Sequence, residues 1–309
     1  MPGKAVSYRV SNWSKYNRSL IERGNITVWF SDDALSGWQS SKEHEGRGRP
    51  EKFSDAAIEC CLLLRSIYHL PLRATQGFIQ GLVGLLGLEI DTPDYTLLCK
   101  RASKLSIDLK MLTTSTPIDI VVDSTGLKVY GEGEWKVRCH GKSKPRSWRK
   151  LHLAVNPKSH EIIGCELTDH KTHDCEVIDN ILPQQELGNV CADGAYDNEK
   201  SYAAISQRSG TPFIPPRSGA CKTEKPSLAM ALRNHTIQAC WAMGRDNWKK
   251  GSVYHQRSLA ETAMFRFKTI TSGNLASRKF SNQKAEVRLK SQILNRMSQL
   301  GMSQSYKVA

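Results

Sequence analysis

The chain has 309 residues, enough for one large domain or two of medium size around a buried core. Hydrophobic residues make up 39% of it, and no run approaches the roughly 18 apolar residues that a membrane-spanning helix requires. Lys and Arg number 44 against 30 Asp and Glu, and this net charge of +14 favours a polyanionic partner, although basic faces that only aid solubility have the same composition.

The first 50 residues are expected to form an N-terminal segment. Its opening, MPGKAVSYRVSNWSKYNRSL, is polar and basic and lacks the apolar core of a signal peptide, which predicts a cytoplasmic protein. Residues 46–55, GRGRPEKFSD, have the composition of a linker. The linker ends in Ser54 and Asp55, which predict the start of a helix.

Residues 51–115 are predicted to be helical and to bind DNA. Three apolar-periodic runs are separated by Pro and Gly, and the third is predicted to begin at Thr92 and Pro93. Three short helices joined by tight turns are typical of a helix-turn-helix arrangement. A helical bundle that merely packs on the next domain explains the pattern equally well. In the DNA-binding alternative, the third helix would present Tyr95, Lys100, Arg101 and Lys104 to DNA.

Residues 116–309 have the alternation of an α/β domain. Strands are predicted at 118–123, 151–156, 161–169, 189–193 and 211–216, and helices at 175–184 and 198–210. Residues 217–250 appear irregular and basic, typical of an insertion, and the chain from about Arg257 is predicted to be helical. The basic stretch 128–150 contains Trp135 and Trp148, which could stack on DNA or pack in the core.

Two of the predicted strands end on an aspartate. If those strands are parallel neighbours, Asp123 and Asp193 project from the same edge of the sheet, where α/β folds place their sites. Each aspartate could instead cap a helix or form a turn. Zinc binding by Cys139 and His140, or by His170, His173 and Cys175, is disfavoured because the spacings fit no four-ligand pattern.

A third acid, Glu261, lies on a predicted amphipathic helix. At 100° per residue its face also carries Tyr254, Arg257 and Lys268, provided that the helix extends back that far. The opposite face carries Leu259, Ala263, Phe267 and Ile270. A solvated face with Arg257 and Glu261 as a simple ion pair is the alternative. Three carboxylates from separate elements suit a pair of Mg²⁺ ions about 4 Å apart that cleave a phosphodiester.

At these residues the sequence resembles the insertion-sequence transposases of the DDE class, most closely the insertion-sequence-five family. The resemblance rests on IDIVVDSTGLKVYGEGEW with RSWRKLHLAV, on VCADGAYDNEKSY, and on the spacing of Tyr254, Arg257, Glu261 and Lys268. The last matches the family's Tyr-Arg-Glu-Lys pattern without a departure. NWSKYNRSLIERGNITVWF is also similar, so the resemblance covers nearly the whole chain.

The resemblance implies an RNase H-like mixed sheet flanked by helices, with Asp123, Asp193 and Glu261 as the metal-binding catalytic triad. It implies two Mg²⁺ ions, with Mn²⁺ as a substitute, and contacts from Tyr254, Arg257 and Lys268 to the DNA at the element ends. The implied partners are terminal inverted repeats, target DNA and a second copy of the chain, at the bacterial nucleoid.

The implied reaction is hydrolysis at the element end, followed by attack of the freed 3′-OH on target DNA. The rivals are a metal nuclease that cuts without joining, and a DNA-binding repressor or inactive transposase derivative.

Overall fold

The computed structural model describes residues 7–41, 50–109, 116–129 and 148–308. The chain forms two compact units, residues 1–101 with 293–309 and residues 102–292. The predicted limits of the N-terminal segment and of the helical region, near residues 50 and 115, stay predictions.

The first unit is mainly helical. Strand β1 (Ser7–Val10) pairs antiparallel with β8 (Ser305–Val308). The helices are α1 (Trp13–Glu22), α2 (Ile26–Trp29), α3 (Asp32–Ser36), α4 (Asp55–Ile67), α5 (Leu72–Leu85) and α6 (Tyr95–Ala102). Trp29, Trp38, Ile58 and Leu62 are almost wholly buried and form part of the core.

The predicted start of α4 is confirmed, but that of α6 is wrong by two residues. The Ser54 hydroxyl accepts the amide of Ala57 at 3.1 Å, as an N-cap does. At α6 the carboxylate of Asp94, not the hydroxyl of Thr92, accepts the amides of Thr96 at 2.7 Å and Leu97 at 3.0 Å. Because Asp94 satisfies these first free amides, helix α6 begins after it.

DNA binding by α6 would require Arg101 to face solvent, but its side chain is buried. Its side chain is 7% exposed and donates to the backbone carbonyl of Phe53 at 3.0 Å and to the carboxylate of Asp55 at 2.5 Å. A guanidinium that binds a carbonyl and a carboxylate can be buried at low cost. The prediction that Arg101 meets DNA is therefore wrong, whereas Lys100 and Lys104 are exposed.

The second unit is built on a mixed six-stranded sheet. The strands are β2 (Ile118–Val129), β3 (Trp148–Val155), β4 (Ile162–Asp169), β5 (Leu187–Cys191), β6 (Thr211–Phe213) and β7 (Asn274–Leu275). The order is β4-β3-β2-β5-β6, and β7 pairs with the last two residues of β2. Strands β2, β3 and β4 are antiparallel, and β5 and β6 run parallel to β2.

Helices flank this sheet. They are α7 (Ile178–Ile181), α8 (Glu199–Ser206), α9 (Leu228–Met243), α10 (Arg245–Gly251), α11 (Ser258–Thr271) and the first part of α12 (Phe280–Leu300), whose residues from 293 onward belong to the first unit. Alternate residues of β2, Ile118, Ile120 and Val122, enter a core cluster with residues of α7 and α8. Helix α11 packs on β2 and β3. The predicted α/β fold is confirmed, and the mixed sheet with flanking helices is consistent with the RNase H-like architecture.

The prediction of an irregular segment at 217–250 is wrong from residue 228 onward, where the chain forms α9 and α10. The Ser227 hydroxyl accepts the amide of Met230 at 3.3 Å and caps α9, and Gly244, at φ +84°, joins the two helices. Buried Ala229 and Ile237 lie on α9, which packs on α8. Within the described ranges, no helix combines the length and apolar character needed to cross a membrane.

Candidate active site

Asp123 lies in the middle of a strand and not at its end. Strand β2 continues to Val129 because Ser124 to Lys128 pair in register with His152 to Trp148 of β3. The side chain of Asp123 is 14% exposed. Its Oδ1 accepts the amide of Ser124 at 2.9 Å, and its Oδ2 accepts Nη1 of Arg257 at 3.2 Å. The strand is longer than predicted, but it still leaves the side chain of Asp123 partly exposed.

The expectation that the two aspartate strands are parallel neighbours is confirmed. Val121 of β2 is paired with Cys191 of β5, and the chain reaches Asp193 two residues later. The Asp193 carboxylate accepts the amide of Ala195 at 2.9 Å and caps the 3-10 turn Gly194–Tyr196. Asp193 therefore caps a turn, which was the alternative role considered for it. It also follows strand β5, which is the neighbour of β2, the strand of Asp123.

Glu261 lies in the first turn of α11, and the helix does not extend back to Tyr254. Residues Val253–Arg257 form a separate 3-10 turn, and α11 begins at Ser258. Even so, Arg257 donates to Glu261 Oε1 through Nη2 and to Asp123 through Nη1. One guanidinium thus joins two of the three candidate acids.

The charges of the other two candidate acids act on the carboxyl group of Asp123. Burial raises the pKa of Asp123, the Ser124 amide and Arg257 lower it, and the charges of Asp193 and Glu261 raise it, with a net upward shift. Burial lowers the pKa of Arg257, but Asp123 and other anions around it raise it above its ordinary value. The site therefore concentrates negative charge that one arginine only partly neutralises.

Lys268 and Tyr254 each interact with a residue near the candidate acids, Thr125 and Arg257 respectively. Lys268 Nζ donates to the Thr125 hydroxyl at 2.6 Å, so it reaches the same strand as Arg257, two residues further on. The Tyr254 ring is 5.9 Å from the ring of Trp248, and the Lys249 ammonium is 5.8 Å from its centroid. Burial raises the pKa of the Tyr254 phenol, and the Arg257 charge opposes that shift.

The three candidate acids form a set of oxygen donors that could hold a divalent metal ion. Carboxylate oxygens are the hard ligands that Mg²⁺ and Mn²⁺ prefer, and here they come from β2, the turn after β5, and α11. Among the described residues, however, no three His, Cys, Asp or Glu side chains form a ready metal-binding group, and Arg257 joins Asp123 to Glu261. The ligand chemistry fits a hard cation, and Arg257 would have to release at least one carboxylate.

A polar cluster that the sequence analysis did not identify lies beside Asp123. Asp174 accepts Nζ of Lys150 at 2.9 Å and the hydroxyl of Ser124 at 3.2 Å. His152, fully buried, contacts the Thr168 hydroxyl at 3.0 Å through Nε2. Lys150 and His152 alternate with apolar residues of β3, a weak signal that could have suggested a shared face. Nothing in the sequence predicted that Asp174 would meet them.

A second set of contacts holds the chain around Asp193. The Asp197 side chain, which is 0% exposed, is paired with Arg233 of α9 at 2.7 Å. Arg217 donates to the carbonyls of Gly194 at 3.0 Å and Ala195 at 2.8 Å. The segment 217–250 therefore anchors the turn that carries Asp193. The basic composition of this segment was visible in the sequence, but its role as an anchor was not.

Other candidates raised by the sequence have different outcomes. Cys139, His140 and Trp135 lie outside the described residues, as does most of the basic stretch 128–150. Trp148 is on β3, with the Lys128 ammonium 5.9 Å from its ring. His170, His173 and Cys175 belong to no metal-binding group in the part of the chain that the structure describes.

Two family models match the chain, and both are described as a transposase DDE domain. One matches residues 114–296, more than half of the chain, and includes all three candidate acids with Tyr254, Arg257 and Lys268. The other matches residues 21–132.

Proposed function

Because the chain belongs to the transposase DDE family and is a DNA transposase, we propose that Asp123, Asp193 and Glu261 carry out its phosphoryl transfer. One observation carries the proposal: Arg257 bonds both Asp123 and Glu261, and Asp193 follows the strand parallel to that of Asp123. Membership of the insertion-sequence-five family stays a prediction.

DDE transposases generally use divalent metal ions. Asp123, Asp193 and Glu261 would hold two Mg²⁺, or Mn²⁺ in their place. These ions would activate the attacking hydroxyl and stabilise the leaving oxygen. For the carboxylates to hold these ions, Arg257 would have to release at least one of them. Its guanidinium can then bind the phosphate being cut, since it presents several donors in a fixed plane.

The remaining residues would position the DNA. Lys268, which reaches Thr125 two residues beyond Asp123, can bind a neighbouring phosphate. Tyr254 would contact the terminal DNA as well, either at a phosphate or on a base. The substrates are the element ends and a target duplex, and two copies of the chain would hold the two ends together. No covalent bond between protein and DNA is required, because water and then the 3′-OH are the nucleophiles.

The test uses a labelled duplex carrying the terminal repeat that flanks the coding sequence in its genomic copy, a supercoiled target, and Mg²⁺ or Mn²⁺. Wild type should nick the end and join it to the target. Glu261→Gln and Asp123→Asn should each lower both rates by about 100-fold or more, because the loss of one ligand charge removes several kcal/mol of stabilisation. Binding of the duplex should persist.

Glu224→Gln is the matched control, since Glu224 is exposed and lies between α8 and α9. It should cut and join like wild type. Undiminished joining by Glu261→Gln would refute the triad. Cutting without joining by wild type would favour the nuclease, and binding without cutting would favour the repressor.

A further inference from the structure

Asp174 is a nearly buried acid to which the proposed function assigns no role. It begins the 3-10 turn Asp174–Glu176, and its side chain is 12% exposed. Its Oδ1 accepts Nζ of Lys150 on β3 at 2.9 Å, and its Oδ2 accepts the hydroxyl of Ser124 on β2 at 3.2 Å. Because both oxygens have donors, the carboxylate can be held away from water at low cost. Asp174 thus has a fixed contact with each of two neighbouring strands.

His152 lies next to this carboxylate but donates no hydrogen bond to it. Because burial lowers the pKa of His152 to about 4, the ring is neutral near pH 7. The Thr168 hydroxyl donates to the carbonyl of Asp169 at 3.1 Å, so it accepts the proton of His152 Nε2 at 3.0 Å. Nδ1 therefore carries a lone pair, 3.7 Å from Asp174 Oδ1. Asp174 is held by its two donors on β2 and β3 and not by the imidazole.

Ser124 links Asp174 to a candidate metal ligand. Its hydroxyl donates to Asp174, and its backbone amide donates to Asp123 Oδ1 at 2.9 Å. Successive side chains of a strand point to opposite faces of the sheet, so Asp174 approaches β2 from the face opposite to that of the Asp123 side chain. A contact that fixes Ser124 from behind therefore also fixes the amide that orients the Asp123 carboxylate.

The turn that begins at Asp174 also lies against the chain around the second candidate aspartate. Asp174–Glu176 packs on Gly194–Tyr196, the turn that Asp193 caps. Tyr196 is 0% exposed there. Burial raises the pKa of its phenol, and Asp174 is the charged group that adds most to this shift. Asp174 is thus close to both segments that carry the candidate aspartates.

We propose that Asp174 is a positioning residue for metal binding, which acts through the Ser124 hydroxyl to hold the carboxylate of Asp123 in one orientation. The inference rests on the proposed function, because it takes Asp123 as a metal ligand. Carboxylates that bind a metal are themselves hydrogen-bonded, and loss of the groups that orient them costs about 10- to 100-fold in metal affinity or activity. Since Lys150 balances its charge, Asp174 orients the ligand without adding to the negative charge of the site.

The test measures Mn²⁺ binding to the full-length protein without DNA, from the electron paramagnetic resonance signal of the free ion. Ser124→Ala removes the hydroxyl but keeps the amide, and it should weaken Mn²⁺ binding about 10-fold. Asp174→Ala should cause a similar loss. Because the two changes break the same contact, the double variant should bind Mn²⁺ no more weakly than either single variant. Ser124→Thr, which keeps a hydroxyl, should recover the binding.

Thermal melting separates this role from a purely structural one. Asp174→Ala leaves Lys150 without its carboxylate and should lower the melting temperature, whereas Ser124→Ala should do so much less, although both weaken Mn²⁺ binding alike. Ser159→Ala is the matched control, because the Ser159 hydroxyl donates to Glu161 at 3.0 Å in the connection between β3 and β4. It removes the same kind of hydrogen bond elsewhere and should bind Mn²⁺ like wild type.

Cutting of the labelled terminal duplex over a range of Mn²⁺ concentrations gives a second readout. With Ser124→Ala, the concentration that gives half the maximal rate should rise about 10-fold, while the maximal rate should change much less. This split is expected because a misoriented carboxylate binds the ion more weakly but still binds it when Mn²⁺ is in excess.

Two results would overturn the inference while leaving the proposed function intact. One is wild-type Mn²⁺ affinity in Ser124→Ala. The other is a double variant whose loss equals the sum of the single losses in free energy, which would mean that Asp174 does not act through Ser124. Asp123→Asn distinguishes these from a deeper failure. If Asp123→Asn binds Mn²⁺ as tightly as wild type, Asp123 is not a ligand, and the proposed function fails together with the inference.

Discussion

His152 is a buried titratable group close to the candidate active site. It is 0% exposed, and burial lowers the pKa of its imidazole to about 4, although Asp174 and Glu166 oppose the shift and Lys150 adds to it. The unfolded chain takes up a proton near pH 6.5, whereas the folded chain does so only near pH 4. Between these values the unfolded state binds more protons, so the free energy of unfolding should fall as pH falls, by about 3 kcal/mol in all.

The measurement is urea unfolding at several pH values between 7 and 4. His152→Gln, which cannot take up the proton, should have a shallower loss over this window than wild type. His170→Gln removes an exposed histidine and should keep the wild-type slope. Parallel slopes for wild type and His152→Gln would show that the imidazole is not held neutral in the fold.

At the scale of single residues, the sequence identified the candidate site residues better than it predicted the side chains that contact them. The fixed spacing of Tyr254, Arg257, Glu261 and Lys268 identified four residues that the structure places in the same region of the protein. Yet the buried pair Asp197 and Arg233, and the hydrogen bonds of Asp174, join residues at least 24 positions apart. No local pattern encodes such contacts, because they depend on how distant elements pack.

Strand β4 (Ile162–Asp169) passes close to the end of helix α7 (Ile178–Ile181) at Gly164. A β-carbon at this position would lie 1.8 Å from the carbonyl oxygen of Ile181. Since that oxygen belongs to the backbone, Gly164→Ala can be accommodated only if the helix or the strand moves. The substitution should destabilise the fold by about 1–3 kcal/mol or more.

Gly77→Ala, in a different element, is the matched control for Gly164→Ala. Gly77 lies inside helix α5 (Leu72–Leu85), and a β-carbon there would meet nothing within 4 Å. Alanine has the higher helix propensity, so this change should stabilise its helix by about 0.5–1 kcal/mol. Thermal or urea unfolding of both variants checks the opposite signs. Equal and small effects would show that β4 and α7 are free to separate.

At the scale of elements, strands were easier to predict than their ends. The apolar runs gave β3, β4, β5 and β6 near their observed bounds, because buried strands have a distinctive composition. Strand β2 was predicted to end at Asp123, because polar Ser124 and Thr125 interrupt the apolar run. The strand nevertheless continues, because pairing with β3 stabilises it. Helices α9 and α10 were not predicted, because α9 buries few side chains, Ala229, Thr236 and Ile237, and so has little of the apolar periodicity that indicates a helix.

Net charge is a property of the whole chain, and it should govern how DNA binding depends on salt. With 44 Lys and Arg against 30 acids, the chain should bind duplex DNA with an affinity that falls linearly on a plot of log K against log salt. Each phosphate contact that is lost should reduce the slope by about one. Lys268→Gln should do so, because Lys268 donates to Thr125, which lies two residues beyond Asp123 on β2.

The control must remove the same charge elsewhere. Lys158→Gln does this, since the Lys158 side chain is 77% exposed and its ammonium is paired with Asp119 at 3.0 Å. Fluorescence anisotropy of a labelled terminal duplex, between about 50 and 200 mM salt, measures both slopes. A smaller slope for Lys268→Gln alone would place a phosphate at the face carrying Glu261. Equal slopes for the two variants would mean that Lys268 contributes only to the general field, and the assignment of Lys268 as a phosphate contact would then be wrong.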